Sequence, residues 1–349
     1  MKRKCLAVGI ILLFIGTTII PKVISEQTQR KNIITVNDNG GGDYTSIKEA
    51  VNQSNPGDTI EVYSGTYYED WISLDKENIS LLGVSHDLGG GNDTGKPFIK
   101  GNGTGTVIQI EVNHVTVSNF RVENPWSGSL FVYCIHVGIE VVTKQNNDTI
   151  SNCTLSNSTH SGIYCAGVGK DMKIIDNEIS RCNDSGIIAS ETESFVLKSN
   201  TIMDVDGPGI MFDGVFHNVS GNVIKKCVIG IQIGGNYNRI EGNDIDNCSV
   251  GVNDIGDGGN IITENNFRNY NQNEYWWERH VGAYILWGVK KDSWISNYWD
   301  SWSGVGPKII LGHLIFWIPL FVEVLEVPIP WINFDWHPAQ EPYNILGVR

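Results

Sequence analysis

The sequence is poor in charged residues, and above all in positive ones. Charged residues make up 18% of the 349 residues, and 25 Lys and Arg stand against 39 Asp and Glu, giving a net charge of −14. Such a surface repels nucleic acid and anionic membranes, so neither is expected as a partner. The hydrophobic fraction of 41% is that of a chain with a packed core, which excludes a disordered protein.

Helical periodicity is also scarce. Between turns marked by Gly and Asn, apolar residues alternate with polar ones over short stretches, which is typical of half-buried strands. No uninterrupted helical stripe fits between these turns. The one short helix that the sequence predicts lies near the N-terminus, around Ser46–Asn52. An all-β fold is therefore expected.

Long apolar runs occur only near the two ends. The basic residues "MKRK" precede an apolar run of secretory length, so residues 1–25 are expected to be a signal peptide or, if uncleaved, an N-terminal anchor. The protein is then secreted, at the cell surface or in a periplasm-equivalent space, with membrane contact only through an uncleaved N-terminal segment. Pro and Glu interrupt the second apolar stretch too often for a membrane span, so 305–349 predicts a C-terminal capping segment.

What the sequence does contain is a repeat of about 22 residues. An asparagine recurs at intervals of 23, 22, 21 and 22 residues, at Asn177, Asn200, Asn222, Asn243 and Asn265. An apolar residue precedes each of them by three positions, and a glycine follows the first four. Looser copies upstream place Asn119 and Asn152 in the same series. A period of this length with Asn and Gly punctuation indicates a solenoid.

Short strands joined by bends in such a solenoid predict a right-handed parallel β-helix, with single strands in each wall, over residues 33–304. The repeated Asn is expected to adopt the left-handed conformation and to stack its amide from coil to coil. The glycine is expected to permit a second sharp bend. An N-terminal helical cap and a Trp-rich C-terminal cap would close the two open ends of the core.

Three cysteines fall on one position of the repeat. Cys182, Cys227 and Cys248 share that position with Val205, so the position requires a small apolar side chain. Cys227 and Cys248 lie on adjacent coils, within disulfide range, but their side chains would run parallel, whereas a disulfide needs a near-perpendicular twist. Free buried thiols are therefore predicted, with a Cys227–Cys248 disulfide as the alternative.

Two segments carry a resemblance to known families. The N-terminal order of strand, Gly-rich turn, helix and strand, followed by "SGTYYED", resembles the cap of the pectinesterase and pectate-lyase-like β-helix superfamily. The segment "SNYWDSWSG" (Ser296–Gly304) resembles the ending of NosD β-helix proteins, which are exported and associated with copper handling for nitrous oxide reductase. Together with the coils, the resemblance to NosD covers roughly Asn113–Gly304. It implies export and, by family association only, copper.

Catalytic motifs of the pectin-degrading families are absent, as neither the pectinesterase nor the polygalacturonase blocks occur and no Arg has a pectate-lyase context. The best acid/base set lies just before the glycine on consecutive coils and comprises His160, Asp184 and Asp206, which Asp213 could join. Stacked coils would bring them within about 5 to 10 Å, which is compatible with acid/base chemistry on a sugar. Ordinary turn acids are the favoured explanation.

The sequence also contains candidate residues for binding sugars and calcium, each with a structural alternative. Three consecutive aromatic residues could stack on sugar rings or seal the last coil, namely Tyr275, Trp276 and Trp277. Two turns offer hard oxygen ligands for calcium, with the residues Asp87, Asn92 and Asp93 in one and Asn253, Asp254 and Asp257 in the other. Metal-free Asp-Gly turns are commoner than calcium sites of this kind, and no other cofactor is expected. Copper would need clustered sulfur or imidazole ligands, whereas the 4 Met and 8 His are scattered.

The function that the sequence favours is non-catalytic. We expect an exported β-helix protein that binds carbohydrate or serves as envelope structure, with extracellular polysaccharide or envelope components as partners. One alternative is a polysaccharide-active lyase, epimerase or hydrolase. The other is a copper-handling accessory protein for an extracytoplasmic oxidoreductase.

Overall fold

The computed structural model describes residues 32–345 apart from positions 90, 104, 126–138, 143–145, 168, 257, 270–276, 283–291 and 320–323. The predicted segment 1–25 lies outside these residues. Within the described part, no helix has the length and apolarity that crossing a membrane requires.

The described residues form one helix, α1 (Ile47–Gln53), and short strands. The strands before residue 200 are β1 (Ile33–Val36), β2 (Thr59–Tyr63), β3 (Thr66–Tyr67), β4 (Ile72–Leu74), β5 (Ser80–Val84), β6 (Phe98–Lys100), β7 (Ile108–Ile110), β8 (Thr116–Ser118), β9 (Arg121–Glu123), β10 (Ile139–Val142), β11 (Thr149–Ser151), β12 (Thr154–Ser156), β13 (Ile163–Ala166), β14 (Lys173–Ile175), β15 (Glu178–Ser180), β16 (Ile187–Glu193) and β17 (Val196–Lys198). Those after it are β18 (Thr201–Val215), β19 (Asn218–Ser220), β20 (Val223–Ile233), β21 (Arg239–Glu241), β22 (Asp244–Asp246), β23 (Val250–Asp254), β24 (Ile261–Thr263), β25 (Asn266–Arg268), β26 (Trp277–Gly282), β27 (Ser293–Ile295), β28 (Tyr298–Trp299), β29 (Lys308–Pro319) and β30 (Val324–Asp335).

The strands stack in parallel from coil to coil and make three walls. Wall A runs in the order β1-β2-β5-β8-β11-β14-β17-β19-β21-β24-β27. Wall B contains β3, β6, β9, β12 and β15 and continues through the first parts of β18 and β20 to β22, β25 and β28. Wall C contains β4, β7, β10, β13 and β16, the second parts of β18 and β20, and β23. The predicted all-β parallel β-helix is confirmed.

Alternation along each short strand decides what enters the core. In wall A, Val117, Ile150 and Ile174 lie at paired positions of successive coils and are fully buried, while their strand neighbours face outward. Each such aliphatic side chain contributes about 1.5–3 kcal/mol when fully buried. The inward position of every coil is therefore fixed by the core, and the outward positions can vary.

Helix α1 covers the core at its N-terminal end, as predicted. It begins after Ser46, whose side chain accepts a hydrogen bond from the backbone N–H of Glu49 at 3.2 Å. The carboxylate of Glu69 accepts the N–H groups of Ile47 and Lys48, each at 2.8 Å, so the first turn has its free donors satisfied. Ile47, together with other apolar residues of the helix, is buried against the first coil.

The repeated asparagines form a continuous amide ladder inside the corner between walls A and B. The side-chain amide of Asn222 donates to Oδ1 of Asn243 at 2.9 Å, and Asn243 donates likewise to Asn265 at 2.9 Å. The stacking of amides is confirmed, but the expected left-handed backbone is not. The positive φ falls on the preceding residue, as at Asp176 (57°) and Ser199 (54°), because the ladder residue itself must point inward.

The two upstream members of the series are displaced by one position. Asn152 pairs in register with Asp176, and Cys153 occupies the inward place that Asn177 takes on the next coil. Asn152 and Asn119 instead have positive φ and join their amides on the outside, with Nδ2 to Oδ1 at 3.0 Å. This shift was not visible in the sequence, because Asn suits both the corner position with positive φ and the inward position of the ladder, and the upstream repeats are irregularly spaced.

The repeated glycines are needed for close packing and not for a left-handed bend. None of Gly186, Gly209 and Gly230 is among the described glycines with positive φ. A Cβ atom at Gly209 would lie 2.5 Å from Cγ2 of Ile224 and 2.9 Å from the carbonyl oxygen of Gly230. The next coil therefore leaves no space for a side chain at this point.

The cysteine position is occupied as predicted. Val205 pairs with Cys227 across β18 and β20, and Cys182, Cys227 and Cys248 are buried and free. Burial raises the pKa of the Cys182 thiol to about 12, so this side chain is held in its neutral, unreactive form.

The C-terminal end of the described chain closes the ladder. Strands β29 and β30 pair antiparallel, and Asp335 at the end of β30 pairs with Trp294 of the last wall-A strand. Oδ2 of Asp335 accepts the backbone N–H of Asn297 at 2.8 Å and its amide at 3.1 Å. Trp294 and Trp299 are buried against Phe267, with the rings of Phe267 and Trp299 stacked at 4.3 Å.

Candidate functional site

The outward positions of wall C form one row of side chains, which we call the outer row. Each member is flanked in its strand by buried residues, so its side chain faces away from the core. Parallel register places one member on each coil, in the order Ser73, Gln109, Glu140, Tyr164, Ile188, Met211, Gln232 and Asn253. The row thus offers amides, a phenol, a carboxylate and the apolar side chain of Met211, whereas Ile188 is buried.

Two of the predicted acid/base residues meet at the margin of this row. Nε2 of His160 lies 3.1 Å from Oδ2 of Asp184, and its Nδ1 lies 2.9 Å from Oγ of Ser161. The side chains of His160 and Asp184 are 33% and 46% exposed, so the pair is open to solvent. The His160 ring packs edge-on against Tyr164, with centroids 5.7 Å apart. The pair therefore orients an imidazole beside the one aromatic side chain of the outer row.

Tyr164 lies in an acidic environment. Burial, and then the charges of Glu140 and, more weakly, Asp213, raise the pKa of its phenol above the ordinary value. The carboxylate of Glu140 also accepts the hydroxyl of Thr106 at 2.8 Å, which fixes its position. Tyr164 consequently remains neutral over the whole physiological range, as a hydrogen-bond donor with an apolar ring.

The other two acid/base candidates do not join the pair. Asp206 is exposed, and the described contacts give it only a backbone hydrogen bond, from its N–H to the carbonyl of Cys182 at 3.1 Å. Asp213 accepts the backbone N–H of Glu191, which has a φ of 55° where β16 loses register with β18. Asp213 thus stabilises an irregular part of wall C, and its charge still reaches Tyr164.

The aromatic candidates near the C-terminus cannot be placed. Tyr275 and Trp276 lie outside the described residues, and so does the side chain of Trp277, whose backbone begins β26.

The first calcium candidate has its carboxylates already engaged. Oδ1 of Asp87 accepts the amide of Asn37 at 3.0 Å, and Oδ2 of Asp93 accepts the amide of Asn39 at 2.9 Å, while Asn92 is exposed. Both contacts tie the loop to the turn that follows β1, and they give one oxygen of each aspartate a structural task. Oδ2 of Asp87 is buried without a hydrogen-bond partner among the described residues.

The second calcium candidate does not converge. Asn253 faces outward and Asp254 faces the core, because they are strand neighbours, and Asp257 lies outside the described residues. The carboxylate of Asp254 accepts the amide of Asn260 at 2.9 Å. Burial, and then the neighbouring Asp292, raise the pKa of Asp254 well above its usual value.

Copper, which the family resemblance implies, is not matched by the residues present. Over the described ranges, no three His, Cys, Asp or Glu side chains cluster in a way that could hold a metal ion. Among the soft ligands in the described part of the chain, Sγ of Cys165 contacts Sδ of Met172 at 3.6 Å, and this pair is buried in the core. Copper(I) sites need further sulfur or imidazole ligands, so this pair does not fit copper.

The sequence alone did not single out Tyr164 or Glu140. In the sequence each of them is only one residue between two apolar ones, and the upstream coils differ in length. Neither feature marks the two residues as members of a site. The second inward amide series, in which Asn238 donates its backbone N–H to Oδ1 of Asn260 at 2.9 Å, was also missed. The 22-residue spacing of those two asparagines was its available signal.

Comparison with known proteins agrees with this architecture. Residues 98–267 match a family model described as right handed beta helix region. No curated protein is significantly similar in sequence. A solved lacto-N-biosidase of family GH136 from Eubacterium ramulus shares 14% identity at a TM-score of 0.52, and the match covers 76% of this chain and 60% of that enzyme's length.

Two further solved structures are similar over most of the chain. XylC in complex with xylose shares 11% identity at a TM-score of 0.49, covering 87% of this chain and 73% of XylC. Pectate lyase Pel9A shares 13% identity at a TM-score of 0.46, covering 71% and 74%. At these identities the likeness concerns the fold alone. The family model identifies residues 98–267 of this chain as a right-handed β-helix region.

Proposed function

We propose that this chain is an exported protein that binds an extended neutral carbohydrate along the outer row and does not cleave it. The observation that carries the proposal is Tyr164, a half-buried neutral aromatic ring in a row that also contains hydrogen-bonding side chains. Such a ring offers an apolar face to a sugar and a hydroxyl at its edge. The basic, apolar N-terminus and the NosD-like ending support export.

One feature favours wall C over wall B as the binding face, and another favours a neutral ligand. The C-terminal segment crosses wall B, where the backbone N–H of Tyr343 donates to Asn266 at 2.8 Å and the Asn266 amide donates to the carbonyl of Tyr343 at 2.9 Å. A ligand on wall B would have to displace this segment. The carboxylates beside Tyr164 also repel anionic polymers, so a neutral glycan suits wall C better than a polyuronate.

The test is a panel of neutral oligosaccharides offered to the purified full chain, with binding measured by calorimetry. Removing the ring in Tyr164→Ala is expected to weaken binding about tenfold, because an aromatic contact contributes roughly 0.5–1.5 kcal/mol. Tyr164→Phe keeps the ring and should retain most of the affinity. Tyr68→Ala removes a tyrosine that is 77% exposed elsewhere and serves as the matched control. Equal affinity in Tyr164→Ala and wild type would refute the proposal.

A polysaccharide-active enzyme is the second candidate, because His160 contacts both Asp184 and Tyr164. The raised pKa of Tyr164 argues against this phenol as a base, which leaves His160 as the proton acceptor. Incubation with the glycans that bind, followed by chromatography of the products, separates the two functions. Product formation that disappears in His160→Asn would establish the enzyme and remove the non-catalytic proposal.

A further inference from the structure

The corner between walls C and A has an unusual composition on two coils. The residue two positions before each wall-A strand turns this corner with a positive φ. On successive coils it is Asn78, His114, Asn147, Asp171, Ser194, Phe216, Tyr237 and Gly259. Asn, Asp and Gly tolerate this conformation, whereas bulky side chains rarely adopt it. Phe216 at 62° and Tyr237 at 58° are therefore strained on two adjacent coils.

The two aromatic side chains also face solvent together. Phe216 is 58% exposed and Tyr237 is 42% exposed. Their rings are stacked, with centroids 5.9 Å apart and planes 21° from parallel. They form one continuous apolar surface, which we call the aromatic platform.

The inward residues that follow the platform hold the turn at this corner, since Nδ1 of His217 accepts the N–H of Phe195 at 3.1 Å. Oδ1 of Asn238 in turn accepts the N–H of His217 at 2.8 Å. Backbone strain combined with exposed apolar area, where the other coils of this series have Asn, His, Asp, Ser or Gly, indicates a ligand-binding role.

We infer that the aromatic platform is a second carbohydrate site, which takes the flat apolar face of a neutral sugar ring. The inference rests on the proposed function for its ligand class but concerns different residues on a different surface. The net charge of −14 disfavours a nucleobase attached to a phosphate backbone, the other common partner of exposed aromatic rings.

Polar groups for the sugar hydroxyls lie beside the platform. Asn218 and Arg239 follow Phe216 and Tyr237 by two residues, and both are exposed on wall A. Arg239 is paired with Glu241, which reduces its attraction for anions and leaves donors on its guanidinium. Phe216 directly follows β18, the strand whose Met211 belongs to the outer row, so a branched glycan could contact both sites.

The sugar ring has two possible sources. It can belong to a free glycan, or to a glycan attached to Asn218, which begins the sequon Asn218-Val219-Ser220. In the second case the platform would bind the first sugars of the protein's own modification. The chemistry of the contact is the same in both.

Calorimetry tests the free source with full chain made in a host that does not glycosylate asparagine. The probes are cellohexaose, xylohexaose and mannohexaose, with tetragalacturonate as the anionic control. At least one neutral probe should bind, and the double variant Phe216→Ala/Tyr237→Ala should lose at least tenfold in affinity. Phe216→Tyr keeps the ring and should bind normally. Phe216→Asn, which restores a residue suited to the corner, should bind weakly while melting no lower than wild type.

Peptide mass spectrometry tests the attached source with protein secreted by an N-glycosylating host. A glycan on Asn218 that blocks probe binding in wild type, with binding restored in Ser220→Ala, also supports the site. Probe binding that is lost in Tyr164→Ala but unchanged in the platform double variant would leave the proposed function standing and overturn this inference. The absence of binding for all three neutral probes, with bare Asn218 in the second host, would overturn both.

Discussion

Replacing Asn222 with Ala removes one member from the middle of the amide ladder. In the native structure the Asn222 amide donates to the carbonyl of Leu197 at 2.8 Å and to Oδ1 of Asn243 at 2.9 Å. Its own Oδ1 accepts the backbone N–H of Asn200 at 2.9 Å and the amide of Asn200 at 3.0 Å. Asn222 is fully buried, so water cannot replace these four partners.

The expected loss of stability is large for a single substitution. A typical hydrogen bond contributes about 1 kcal/mol net, and each buried group left without a partner costs about 1–3 kcal/mol. The variant leaves the backbone N–H of Asn200 without its acceptor in the core and also removes the bonds to Leu197, Asn243 and the Asn200 amide. We therefore expect the free energy of unfolding to fall by roughly 3–5 kcal/mol, a substantial part of the ~5–15 kcal/mol of a typical domain.

Denaturant unfolding followed by circular dichroism measures this loss, provided that the transition is cooperative. Asn183→Ala is the matched control, because Asn183 lies two coils away and is exposed, and it should change stability by less than about 0.5 kcal/mol. If both variants unfold at the same denaturant concentration, the ladder does not stabilise the fold in the way argued above.

Three further substitutions have defined outcomes. Asp335 caps the ladder, and both of its carboxylate oxygens accept hydrogen bonds. In Asp335→Asn an NH₂ group, which can only donate, replaces one of these oxygens, so the melting temperature should fall although the two side chains are equal in size. Burial lowers the pKa of His217 to about 4, so protonation of its ring costs up to about 3 kcal/mol of stability as the pH falls from 6.5 through 4. In His217→Gln, thermal unfolding measured across this pH range should depend less on pH. Gly209→Ala should destabilise by about 1–3 kcal/mol in denaturant melts through collision with Ile224, whereas an unchanged midpoint would show that the coil can move aside.

The sequence predicted the parts of the fold that repeat on every coil. Asn222 and Asn243 each have to satisfy the same buried backbone groups, and only one side chain of the right length and donor–acceptor order does so. The residue before them has only to turn the corner, which Asp176, Ser199 and Gly221 all achieve. This explains why the repeated spacing of the ladder asparagines was visible in the sequence. It also explains why the left-handed conformation was assigned to the asparagine and not to the residue before it.

The candidate site was harder to predict because its members repeat no chemistry. His160 and Asp184 were identified because they occupy the same turn on consecutive coils, and their contact at 3.1 Å depends only on stacking. Tyr164 was missed because its importance comes from the register of wall C and from the charge of Glu140, 24 residues away in sequence. Neither is visible without knowing how many residues each coil contains.

In the part of the chain that the structure describes, the inner surface of the solenoid is filled by side chains that the fold requires. Amides fill one corner, glycines lie against the next coil without space for a Cβ, and the thiol position of Cys182 is buried with its pKa raised. A side chain that departs from these requirements costs stability, so chemistry directed at a ligand has to use outward positions. Tyr164 and Phe216 are outward residues on different surfaces, and neither fills the core. The strain at Phe216 makes it the sharper case, because a residue chosen for stability alone would be Asn or Gly at that corner.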